Sequence, residues 1–125
     1  MQIIDLDAPS LWYLMGTAVD AEIVCAKALI DEGNPVALGG IARLPGDDRL
    51  WAFLDVQTIG SAGLRTVRAL ARGLHACNED VFIQCAGPHA ERLLRILGFT
   101  PTGETKADLR TNQPLGVWKW QSWPL

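Results

Sequence analysis

Few side chains in this sequence could do chemistry, and they are scattered. Cys25, Cys77 and Cys85 are widely spaced in apolar or helix-patterned stretches, the usual setting of reduced intracellular thiols rather than of a disulfide framework. His75 and His89 lie far apart with no Glu or Cys at ligand spacing, so no metal site is expected. Tyr13 is the single tyrosine, available as an acid or as an amphipathic packing group. Ser61 and Ser122 have no recognisable base partner. Arg65, Arg68 and Arg72 recur along one side of a helical pattern, where they suit phosphate groups, a nucleic acid, or simple solvation. Trp118 and Trp120 stand at strand alternation, with Trp123 one position out of phase. Indoles so placed serve a core, or else an interface for a protein partner or a second copy of the chain.

The elements that must position these groups follow from composition and pattern. The chain has 125 residues, 49% hydrophobic and 20% charged, enough to build its own core without a metal or disulfide. No repeat or linker interrupts it, so residues 1–125 are expected to form one domain. The net charge of −3 disfavours overall attraction to nucleic acid or anionic membrane. No apolar run reaches the length of a membrane span, and the N-terminus lacks a basic flank and signal core, which predicts a cytoplasmic protein.

Gln2 to Leu6 reads as a weak first strand, followed by a short helix over Leu11 to Met15. Cys25 to Ile30 and Val36 to Leu44 flank the turn residues Asp31-Glu32-Gly33-Asn34-Pro35, a β-hairpin. Arg49 to Val56 is a third strand after the turn Pro45-Gly46-Asp47-Asp48. From Ala62 to Cys77 the apolar period shifts to helical, with Leu64, Val67, Leu70, Ala71 and Leu74 on one face. Asp80 to Cys85 is a short buried strand, and Pro88 opens a helix that Gly98 should cap. Extended segments over Phe99 to Glu104 and Gly116 to Trp123 close the chain. The order predicts an α/β fold: a mixed, mostly antiparallel central sheet with helices on its faces.

Three stretches, "ALIDEGNPVALGGIARL", "RLWAFLDV" and "VFIQCAGPHAERLLRILGFTPTGE", resemble the core of the GNAT acyl-CoA N-acyltransferases. The resemblance spans Cys25 to Glu104, and "AERLLRILGFTPTGE" is its most specific part. It implies a GNAT-like fold with acetyl-CoA held in a V-shaped gap between the strands ending near Val56 and Cys85. Backbone groups near Phe53, Leu54 and Val56 would hold the pantetheine arm, and Gln57, Gly60, Ser61, Ala62 and Gly63 the pyrophosphate, with Arg65 adding charge. Unpaired N–H groups at a helix start favour phosphate for this purpose. Asp55 would stand near the gap as the general base. Cys85 would end beside the thioester, or pack as a small hydrophobe.

The sequence also departs from the family pattern. Gln57 follows Val56 directly, so the phosphate loop is shorter than in the family, and the segment before Cys25 is brief. Leu94 replaces the family's tyrosine acid, and Gly87 a common asparagine. Short proteins of this kind resemble phage and prophage members, for which a virion or host-interaction role is the alternative to N-acetyl transfer.

Overall fold

A computed structural model describes residues 2–7, 22–56, 68, 71–108 and 111–121. Seven strands form a single sheet: β1 (Gln2–Asp5), β2 (Glu22–Asp31), β3 (Asn34–Arg43), β4 (Leu50–Val56), β5 (Val81–Cys85), β6 (Thr100–Ala107) and β7 (Pro114–Trp120). Their spatial order is β1-β2-β3-β4-β5-β7-β6. Residues 71–76 are helical (α1), and α2 spans Pro88–Leu97.

The strands form where the chemistry favours them. Between β2 and β3 the chain turns through Glu32 (φ 51°) and Gly33 (φ 78°), left-handed positions that a glycine adopts without penalty. Within the hairpin, Gly40 permits a close approach. A β-carbon there would stand 2.3 Å from the Cys25 carbonyl oxygen and 2.6 Å from Phe53 Cζ. The Phe53 ring is thus laid on bare backbone. Pro88 sits in the first turn of α2, and Gly98 ends the helix in a left-handed conformation, φ 96°. The N–H of Phe99 then donates to the Leu94 carbonyl, satisfying one of the terminal acceptors.

Alternation along the strands creates two apolar faces. On one, Ile41, Leu50, Ala52, Val81, Ile83, Trp118 and Trp120 meet Leu74 of α1, Leu94 of α2 and Phe99. On the other, Ala26, Ala28 and Leu38 pack with Ile4, Leu6, Ile30 and Phe53. Trp118 and Trp120 are each only 6% exposed, so both indoles belong to the core; Trp123 lies outside the described residues.

The expectation of a GNAT-like α/β fold with helices on the sheet's faces is corrected here. Among the described residues strand far outweighs helix, which forms two segments, and both helices contribute to the same core. The physical reason lies in the tail. β6 and β7 pair from Thr100↔Lys119 to Ala107↔Pro114, with an irregularity between Pro101 and Thr105, and β6, the edge strand, sends side chains toward β4. The Gln84 side-chain amide donates to the Lys106 and Ala107 carbonyls at 2.9 and 3.2 Å. Lys106 lies over the Trp51 ring, and Arg49 reaches Glu104. At β4 and β5 groups of the edge strand thus meet the sheet's second face.

Candidate functional site

The centre of the sheet holds the single parallel junction among the described strands. All neighbouring strands are antiparallel except β4 and β5. Their parallel ladder consists of Leu50↔Val81 and Trp51↔Phe82 alone. Beyond it β4 continues along β3 as far as Val56, and β5 along β7 as far as Cys85. The two strands therefore part, leaving a wedge whose edges carry backbone groups that the ladder does not use. Each strand is held on its outer side by a full antiparallel partner, so the wedge is built into the sheet.

The closed end is clamped by a polar and aromatic cluster. Asp47, Arg49 and Trp51 alternate along the chain, which sets them together. Asp47 accepts hydrogen bonds from the Arg49 backbone N–H at 2.9 Å and from the Trp51 indole N–H at 2.8 Å. It also pairs with the Arg49 guanidinium. Burial pushes the Asp47 carboxyl upward, but the hydrogen bonds from Arg49 and Trp51 outweigh it and hold the pKa at about 2. Its partner responds in kind: the hydrogen bond to Asp47 raises the Arg49 pKa. Arg49 stacks over Trp51 and Phe82, 4.9 and 5.0 Å from the ring centroids, so one guanidinium spans both strands where their ladder begins.

At the open end, Phe53 and Leu54 are half-buried, on opposite faces of β4. Asp55 and Val56 are in register with Leu38 and Ala37 of β3, which puts the backbone of the expected base at the wedge's mouth. On the β5 side, Cys85 is half-buried against the helical core, and its thiol donates to the Gly87 carbonyl at 3.6 Å. Gly87 has φ 122°, a conformation reserved for glycine, so the residue at this position serves the turn from β5 into α2. Leu94 is 3% exposed within the core.

Of the residues expected at a cofactor cleft, the structure places Phe53, Leu54, Asp55 and Val56 on one continuous strand bordering the wedge. Gln57, Gly60, Ser61, Ala62, Gly63 and Arg65 lie outside the described residues, as do Tyr13 and Ser122. Arg68 and Arg72 are exposed. His75 meets the edge of the Trp120 ring, and among the described residues no cluster of His, Cys, Asp or Glu could hold a metal ion. Sequence reasoning missed the Asp47, Arg49, Phe82 and Lys106 cluster; the two-residue alternation of Asp47, Arg49 and Trp51 was its one visible signal. Among the described residues no helix is long and apolar enough to cross a membrane. No family model matches the chain, and no curated protein matches it.

Proposed function

We propose that the wedge between β4 and β5 binds an acyl-CoA thioester, with the pantetheine arm lying along β4. The observation that carries this reading is the two-pair ladder: past Trp51 and Phe82, β4 and β5 offer facing backbone edges with no mutual pairing. A pantetheine arm is extended and carries two amides, so it suits a strand edge in the way an added peptide strand does. Phe53 and Leu54 supply apolar surface beside it, and Asp55 at the strand's end is the group assigned to take the proton of an acceptor amine.

Leu94 favours binding over efficient catalysis. The sequence resemblance would put a tyrosine acid at this position, and here it is a core aliphatic. Calorimetric titration of the folded protein with acetyl-CoA tests the reading. Saturable binding that pantetheine competes away supports it. No heat at millimolar ligand, with folding verified by circular dichroism, overturns it.

A further inference from the structure

Two of the three cysteines converge between β2 and the end of α1, outside the wedge. Cys25 lies on β2, and Cys77 follows the last turn of α1, where its own N–H donates to the Leu74 carbonyl at 3.0 Å. Both approach a single residue, Gly73. The Cys77 thiol donates to the Gly73 carbonyl at 3.3 Å, and Cys25 Sγ stands 3.6 Å from where a β-carbon on Gly73 would be. β2 and the end of α1 thus bring both cysteines up to Gly73. Both cysteines also line a cavity of about 470 Å³, together with Lys27, Gly39 and Arg72. The cavity gives small solutes a route to the sulfurs.

We propose that Cys25 and Cys77 are a redox pair that closes to an intramolecular disulfide by exchange with a small-molecule disulfide such as oxidised glutathione. The Cys25 thiolate attacks one glutathione sulfur, forming a mixed disulfide and releasing one glutathione thiolate. The Cys77 sulfur then attacks Cys25 Sγ, the S–S bond to glutathione breaks, and the second glutathione leaves. The two protons lost by the cysteines end on the two glutathione thiols, and the two electrons lost by the protein sulfurs reduce the glutathione disulfide. Cys77 suits the second step. Burial pushes its thiol up, with Cys25 and Glu79 adding to the effect, which disfavours Cys77 as the first nucleophile. Its place at the end of α1, with residues 77–79 non-helical, lets it move toward β2 without unwinding the helix. Arg72, exposed at the cavity, favours an anionic disulfide such as glutathione.

The full-length Cys85→Ser protein, which keeps only Cys25 and Cys77, is incubated with oxidised glutathione and analysed by intact mass and by proteolytic mapping. The expected product is monomeric, lacks two hydrogens, and yields a cross-linked peptide pair joining Cys25 to Cys77. Closing a loop of about 50 residues should also raise the Tm by about 10 °C, reversed by dithiothreitol. Cys25→Ser and Cys77→Ser versions of the same protein should instead stop at no more than a single glutathione adduct. A doubly glutathionylated monomer, a disulfide-linked dimer, or two thiols unchanged under conditions that oxidise a model dithiol would each overturn the proposal.

Discussion

Replacing Asp47 by Asn isolates the clamp at the closed end of the seam. The substitution keeps the shape and one acceptor oxygen but removes the charge that faces Arg49 and Trp51. The side chain of Asp47 is 17% exposed, and its pKa falls from 3.8 to about 2 on folding. At about 1.4 kcal/mol per unit the full shift corresponds to roughly 2.5 kcal/mol. Solvent screening of the partly exposed Arg49 reduces this to about 1–2 kcal/mol. Because the folded-state pKa is the lower one, this stabilisation is present above the unfolded value of 3.8 and is lost as pH falls through about 2. Urea unfolding of wild type and Asp47→Asn should therefore differ by about 1–2 kcal/mol near neutral pH, and the gap should shrink across that acidic window. The Trp51 indole N–H, followed by NMR, reports the same protonation and should titrate with a midpoint near 2. A gap that stays constant with pH, or an indole that titrates at the ordinary carboxylate value, would refute the reasoning.

Two further substitutions test the sheet itself. Gly40→Ala would drive a methyl group into the Cys25 carbonyl and the Phe53 ring, so thermal unfolding should reveal a loss of about 3 kcal/mol or more. Gln84→Ala removes the amide that holds Lys106 and Ala107. It should cost about 1–2 kcal/mol and speed amide hydrogen exchange selectively along β6, while exchange along β2 and β3 stays unchanged.

Local signals were readable from the chain. The Glu32-Gly33 turn, Pro88 at the start of α2, Gly98 at its end and the apolar run of β4 each carry their conformation in a few adjacent residues. What escaped was long-range. Arg49 and Glu104 are 55 positions apart, and neither strand pattern says that β6 will fold across Trp51. The tail was read as strands at Phe99 to Glu104 and Gly116 to Trp123, whereas they run Thr100–Ala107 and Pro114–Trp120. Polar residues such as Thr105 and Lys106 mask a pairing made through backbone. At the wedge, Phe53 and Leu54 were legible as a strand bordering a gap only through the family resemblance, because the parting of two strands leaves no mark in composition or period.

The short ladder also makes the sheet mechanically uneven. Seven strands suggest one stiff plate, yet at its centre two plates, β1 to β4 and β5 to β7, meet along a seam stitched by two residue pairs. Ties that cross the seam carry the load the ladder does not: Arg43 with Glu79, Arg49 with Glu104, and the shared core of Leu50, Ala52, Val81 and Ile83. The sheet's shortest ladder and the mouth of its candidate cleft are therefore one structure, and whatever enters the wedge meets the sheet where the fewest backbone pairs hold it.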